Sequence, residues 1–441
     1  MARIVFIMDI EEGHFLPSFG LAHSLKDRGH EVCYLGVIDN APLVAEQGFD
    51  FHPVLKDIYH QGYKEKYKQL SPPPGDNSLS PDLKKEYDEH IAALMAGAYD
   101  PFLEHFQSSL LVISTFLKID TLVLHYKYNI CPVIFTPFLR EASSTPAKDC
   151  LNYLKEFPVD EIFPLVDFVT SFRDDFTSLA ELVAPLDNFC ELIACPHELD
   201  VDDLPARANA HYIGPSIRKE TCAGDIASLY RQLEGKKIIY ASLGSQPLRH
   251  GAVRDLFFRK MICVMKEEEL QDCHLILTVG DIYDIDNLAP LPDNVTVLRW
   301  VSQISILKRA SLAVIHGGLG SVKECIYYGV PMIVFPLGYD QPVNARRVAH
   351  HNLGLTGDIG SIPEGDLKVK ILQALGCEHI RASVRNMQQL FHEKECANQG
   401  ADIIEALLRD REMMSPQNNT RTENVLSDIP AVREEQQQFK K

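Results

Sequence analysis

The chain has 441 residues, 46% hydrophobic and 24% charged, the balance of a soluble globular protein of two or three domains. Its 43 Lys and Arg against 61 Asp and Glu leave a net charge of −18, a field that repels a nucleic-acid duplex and excludes general nucleic-acid binding. Eleven scattered cysteines, an odd number with no CxxC pair, predict reduced thiols in a cytoplasmic protein, with neither a disulfide framework nor a zinc site.

The opening run RIVFIM reads as a buried strand, and the apolar stretch before Asp9 is too short for a secretory leader. DIEEGHFLP reads as a loop. SFGLAHSLKDRG, with Phe19, Leu21, Ala22 and Leu25 apolar and Gly29 as a stop, reads as a helix, and HEVCYLG as the next strand. This βαβ unit predicts a parallel sheet with a right-handed crossover. Residues 56–110 are less regular and include the Pro-rich SPPPGDNSLSP at 71–81, read as a solvated loop. The strands SLLVIS and CPVIFTP bracket the helix IDTLVLHYKY, and FCELIAC and AHYIGP close this half.

SIRKETCAGD marks a polar boundary, and a second alternating set follows it. KKIIYASLGS, HLILTVG, VTVLRW, LAVIHGG and PMIVFPL are the strands; 252–270, SQISILKRA and GSVKECIYYG are the helices. The expected organisation is an α/β fold: an N-terminal domain over 1–215, a linker over 216–235, a second domain over 236–378 and helices over 379–411 that pack back toward the first domain. A polar tail over 412–441 is expected to be disordered. No stretch approaches 18 uninterrupted apolar residues, so no transmembrane helix is expected.

The chemistry concentrates at the strand ends of the second half, where open α/β sheets bind ligands. In IHGGLGSVKEC the glycines Gly317, Gly318 and Gly320 allow close backbone approach, and the helix that follows offers N–H groups and a positive dipole end to a phosphate. His316 and Ser321 add hydrogen bonds, and Glu324, one turn on, suits a ribose diol. ASLGSQ places Ser245 at a second strand end, opposite the same diphosphate. Trp300, the single tryptophan, is a platform for a base, with Gln303 beside it. PLGYDQPVNA adds Asp340 and Gln341, an acceptor and donor set for sugar hydroxyls. Taken singly, each has a plainer reading: a tight turn, a core tryptophan, an N-cap aspartate. Their order within one segment favours a nucleotide-sugar site. A dehydrogenase would carry GxGxxG in its first βα turn, where this chain has DIEEGH.

The stretch from LPDNVTVLRW to GYDQPVNARRV closely resembles the donor-binding signature of the UDP-dependent glycosyltransferases of family 1. GHFLPSFGLAHSLKDRGHEVCYLG resembles that family's opening βα unit. The resemblance implies the GT-B fold: two facing Rossmann-like domains with parallel sheets and a cleft between them, acceptor on the first and nucleotide sugar on the second. It implies that Trp300 stacks on uracil, Gln303 contacts base or ribose, and Glu324 holds the ribose. His316, Ser321, Gly318 and Ser245 would hold the diphosphate, and Asp340 and Gln341 the sugar. The Trp300–His316 interval is shorter than in plant members. The implied co-substrate is a UDP-sugar, UDP-glucose by the Asp340–Gln341 pattern with galactose, glucuronic acid and a deoxysugar left open, with a small hydrophobic hydroxylated acceptor, no cofactor and no metal; the oligomeric state is not read from the sequence, and a monomer is the favoured expectation. Peripheral membrane contact is compatible with it.

His14 stands at the family's GH position, which implies a general base; alone it would read as a loop histidine capping the helix that begins near Pro17. An imidazole titrates near neutrality and so can take the proton of an attacking hydroxyl. The implied reaction is a single inverting displacement. Relatives orient this histidine with an aspartate at the end of a later strand, where this chain has Ser114, or Thr115 with the register shifted by one. Three arrangements are open: Asp120 reaches back, Glu11 or Glu12 substitutes, or His14 works unassisted on acidic acceptors. The last is the expectation. A nucleotide-sugar-binding protein without catalysis is the alternative that Ser114 raises.

Overall fold

In the computed structural model, residues 1–414 are described except 71–79, 106–109, 142, 156–158, 173–177, 202–206, 219–225, 246 and 282. Most of the Pro-rich 71–81 segment and the tail beyond 414 therefore lie outside the described residues.

The first half forms seven strands: β1 (Arg3–Ile7), β2 (Glu31–Gly36), β3 (Asp50–Pro53), β4 (Leu110–Ser114), β5 (Val133–Thr136), β6 (Glu191–Ile193) and β7 (Ala210–Tyr212). They make one parallel sheet in the order β3-β2-β1-β4-β5-β6-β7. The second half forms β8 (Lys237–Ser242), β9 (Cys273–Thr278), β10 (Val295–Leu298), β11 (Ala310–Ile315), β12 (Met332–Val334) and β13 (Gly354–Thr356). These are parallel too, ordered β10-β9-β8-β11-β12-β13. The two expected α/β domains with parallel sheets are thus the architecture of the chain. β3 and β13 have no counterpart in the sequence reading. Each is an edge strand, and DFHP and GLT are too short and mixed to show a period.

In each sheet the strand order reverses beside one pair, β1/β4 in the first and β8/β11 in the second. Such switch points open a crevice at the carboxyl ends of the strands. β1 and β4 run side by side up to Ile7 opposite Ile113, so the residues that follow them emerge together.

One buried apolar cluster joins the halves, with Ile193, Cys195 and Leu199 against Val322, Cys325 and Ile326. The last helix, Gln399–Met414, places Ala401 and Ile404 in the first domain's core with Phe6 and Phe15. Its Asp402 and Glu405 pair with Arg28. Among the described residues no helix is long and apolar enough to cross a membrane.

The helix Leu319–Tyr327 carries a buried lysine whose pKa burial lowers. Lys323, 1% exposed, donates to the carbonyls of Ala194 and Pro215, the latter at 2.9 Å. It ties the helix Leu319–Tyr327 to the first domain. Beside it, Ser216 adopts φ 53°, its hydroxyl donating to the Pro17 carbonyl at 2.5 Å, while Glu395 accepts from the Ser216 N–H. Lys323→Met keeps the length but leaves two buried carbonyls without a donor. We expect it to cost about 2 kcal/mol of stability, read as a lower thermal unfolding midpoint. An unchanged midpoint would mean that relief of the buried charge offsets the lost hydrogen bonds.

Candidate active site

β1 ends at Ile7, and within a few residues the chain enters one helical turn, Glu12–Phe15, where the sequence predicts a loop. That turn folds His14 back over Asp9. Asp9 Oδ1 accepts from His14 Nδ1 at 3.0 Å and from the Glu11 N–H at 3.0 Å, and Oδ2 accepts the Ser114 hydroxyl at 2.5 Å. A carboxylate on Nδ1 fixes the proton there and leaves Nε2 as the acceptor. The Phe116 ring lies flat on the imidazole, centroids 3.6 Å apart and 12° between planes. Burial acts to lower the His14 pKa, but the Asp9 carboxylate outweighs it and the net shift is upward, with Glu11 and Asp340 adding to it. Burial acts to raise Asp9, and His14 and the hydrogen bonds hold it below the ordinary carboxylate value.

The expectation of an unassisted His14 is therefore corrected: Asp9, two residues past the end of β1, is its partner. Ser114 does not touch the imidazole but fixes Asp9 from the neighbouring strand. Asp120 does not reach back. It is buried in the helix Lys118–Tyr128, accepting from the Tyr99 hydroxyl at 2.7 Å and bonded to His90 Nε2 at 3.2 Å. Glu12 pairs with Lys64. Glu11 stands 3.7 Å from His14 Nε2 and accepts from the Tyr67 hydroxyl. Thr115 accepts from Arg140. Sequence reasoning missed Asp9, although one signal was present: it is the first charged residue after RIVFI, at the carboxyl edge of a strand.

The second domain faces this wall. The helix Leu319–Tyr327 begins with no side-chain cap at Gly318, so its first N–H groups open to the cleft. The glycines of the loop divide their roles. Gly317 takes φ 93°, and a Cβ there would lie 2.6 Å from Val334. A Cβ at Gly318 or Gly244 would strike the His316 ring, at 2.8 and 2.6 Å, so these two make room for the histidine; only Gly320 of the three loop glycines has open space around it. His316 Nδ1 is buried without a hydrogen-bond partner. Burial, with His250 nearby, pushes its pKa down to about 3, which favours the neutral ring over the cation.

Gln303 is held on three sides. Its Nε2 donates to Glu324 at 2.5 Å and to the Ser321 hydroxyl at 3.3 Å, and its Oε1 accepts from Tyr240 at 3.2 Å. Its nearest partner is thus Glu324, whose pKa burial raises. Trp300 is 65% exposed on the rim, its ring open to solvent. Ser245 sits exposed just past β8.

Asp340 and Gln341 differ from the simple donor and acceptor pair expected. Gln341 is 5% exposed, and its Oε1 accepts the N–H groups of Leu337 and Gly338 at 2.7 and 3.1 Å. Its acceptor oxygen shapes the loop. Asp340 accepts from Asn344 at 2.8 Å, and burial raises its pKa.

Both walls line one cleft of about 1270 Å³, which takes in His14, Asp9, Trp300, His316, Glu324 and Asp340 together. Its first-domain side is aromatic, including Tyr59, Tyr63, Phe116 and Phe138. Among the described residues no three His, Cys, Asp or Glu are grouped to hold a metal ion.

Residues 263–408 match the family described as erythromycin biosynthesis protein CIII-like, C-terminal domain. The chain is 25% identical to NDP-glycosyltransferase YjiC of Bacillus subtilis (strain 168), over 90% of this chain and 95% of that one. It is 24% identical to the zeaxanthin glucosyltransferase of Pantoea ananas, over 76% and 79%. Among solved structures, the glycosyltransferase of kitacinnamycin superposes with a TM-score of 0.70 at 23% identity, covering 92% of this chain and 99% of that one. CalG4, the calicheamicin glycosyltransferase, gives 0.67 at 19%, covering 92% and 98%.

Proposed function

We propose that the chain, which has the GT-B fold, is a family 1 glycosyltransferase that moves a hexose, glucose first, from a UDP-sugar to a hydroxyl of a small lipophilic acceptor, with inversion. The observation that carries this reading is the pairing of two strand-switch crevices across one cleft. His14 and Asp9 stand on one wall; an uncapped helix N-terminus and His316 stand on the other.

His14 Nε2 takes the proton of the acceptor hydroxyl as its oxygen attacks the anomeric carbon. Asp9 holds the tautomer and stabilises the imidazolium that forms. The anomeric C–O bond breaks on the opposite face, the electron pair leaves on the diphosphate oxygen, and the N–H groups at Gly320 and Ser321, with His316, stabilise that charge. A bound diphosphate would favour the protonated form of His316, against the burial that favours the neutral ring. Trp300 stacks on the base, Glu324 holds the ribose diol, and Asp340 orients the sugar through its hydroxyls, with Gln341 shaping the loop beneath. The case for a protein without catalysis rested on Ser114 standing where a carboxylate was expected. Asp9 supplies that carboxylate, which favours the enzyme.

The test is incubation of the full chain with UDP-glucose, UDP-galactose, UDP-glucuronic acid and dTDP-glucose against a model phenol and a model alcohol, with product mass and anomeric configuration read out. The β-glucoside from UDP-glucose is expected. UDP binding with no transfer from any donor would sink the enzyme reading, and an α-product would sink the single displacement.

A further inference from the structure

A second polar chain lines the same cleft on its first-domain side. The Tyr59 hydroxyl lies 2.8 Å from His90 Nδ1, His90 Nε2 lies 3.2 Å from Asp120 Oδ2, and the Tyr99 hydroxyl donates to Asp120 Oδ1 at 2.7 Å. All four residues border the cavity, yet Asp120 is 3% and Tyr99 2% exposed. They come from four separate segments: the chain after β3, the helix Pro81–Ala96, the turn after it, and the helix Lys118–Tyr128. The proposed displacement at His14 uses none of them. A buried carboxylate behind an imidazole contributes little to stability compared with apolar packing of the same volume. It does set the direction in which every hydrogen in the chain points.

That direction follows from the inventory of donors and acceptors. Both Asp120 oxygens accept, and its pKa is held below the ordinary value, burial opposing and His90 and Tyr99 prevailing. In the neutral imidazole the proton therefore sits on Nε2, and Nδ1 can only accept. With that tautomer Tyr59 gives its hydrogen to Nδ1, which leaves its oxygen an acceptor at the cleft wall. Tyr63, Tyr87 and Tyr153 surround this end with flat apolar faces.

We propose that Tyr59, oriented through His90 by Asp120, is a specificity-determining residue that binds a second hydroxyl of the acceptor, so that preferred acceptors are aromatic molecules with a hydroxyl remote from the reacting one. This rests on the reading that the first-domain side of the cleft receives the acceptor. Tyr59 touches the ligand; His90 and Asp120 are positioning residues.

The test uses three probes: a biphenyl with a hydroxyl at each end, the same biphenyl with one hydroxyl, and the monomethyl ether of the diol. Binding to the full chain is measured by calorimetry without donor, and transfer is measured separately by product mass with UDP-glucose. One hydrogen bond corresponds to a preference of about 5- to 10-fold for the diol over the other two. Tyr59→Phe, which keeps the ring, should abolish the preference with little loss of affinity for the mono-ol. Asp120→Asn should reduce the preference by releasing the His90 tautomer. Equal binding of the three probes by the wild type, or a preference that survives Tyr59→Phe, overturns the proposal. An ether bound as tightly as the diol overturns it as well, since an ether oxygen has no hydrogen to donate. Preference without transfer would leave the Tyr59 site standing and sink the enzyme reading; transfer without preference would do the reverse.

Discussion

Replacing His14 by alanine is expected to lower kcat/KM for an alcohol acceptor by about 10²- to 10⁴-fold, the range a positioned general base contributes. An aliphatic hydroxyl does not ionise near neutral pH, so its proton must leave as the new bond forms. The group proposed for this is Nε2 of His14, whose other nitrogen is fixed by Asp9. The loss should shrink for a nitrophenol, which already carries the charge that the base would create. Binding of UDP should stay within about twofold, because the proposed donor contacts lie on the other wall. Steady-state kinetics with both acceptors and calorimetry with UDP provide the readout. A near-wild-type rate on the alcohol would remove His14 from the mechanism, and equal loss on both acceptors would make its role positional.

Asp9→Asn has the second-largest expected effect, about 10- to 100-fold in kcat, by loss of the partner that orients the ring and stabilises its cation. An amide in that place offers an N–H as readily as an oxygen to Nδ1, so the tautomer is no longer fixed. The pH profile separates this from a packing effect. His14 is inactive as a base when protonated, and Asp9 raises its pKa above the ordinary 6.5. Activity of the wild type should therefore rise with pH through a value above 6.5, and the acidic limb should move to lower pH in Asp9→Asn. Ser114→Ala, which removes one of three donors to Asp9, should lose less and move the limb less. A limb that stays in place in Asp9→Asn would show that another group, Glu11 at 3.7 Å being the nearest carboxylate to Nε2, sets the titration.

The alternation of strands and helices was legible because apolar runs broken by glycine and polar residues mark buried parallel strands directly. The donor-side candidates were legible for a related reason. Trp300 to Gln341 is one continuous segment in which each residue follows a strand by a few positions, and parallel strands bring all such ends to one edge. Sequence distance there stands in for spatial distance.

The acceptor side obeys no such rule. Asp9 meets His14 through one turn of helix that no period announces, and it meets Ser114 because β1 and β4 are neighbours, an order that crossovers decide. Asp120, near Ser114 in the chain, is carried by the helix Lys118–Tyr128 to His90 and Tyr99. On the donor side too, residue type foretold position better than role. Gln341 turns its oxygen to backbone, Gln303 holds Glu324, and two glycines serve the His316 ring. The sequence by itself determined the two parallel-sheet domains and the segment that lines the second-domain wall of the cleft, because both depend on local pattern. The tertiary structure alone decided which carboxylate serves His14 and which groups remain to meet an acceptor, because hydrogen-bond partners and burial depend on sheet order and on contacts between distant segments.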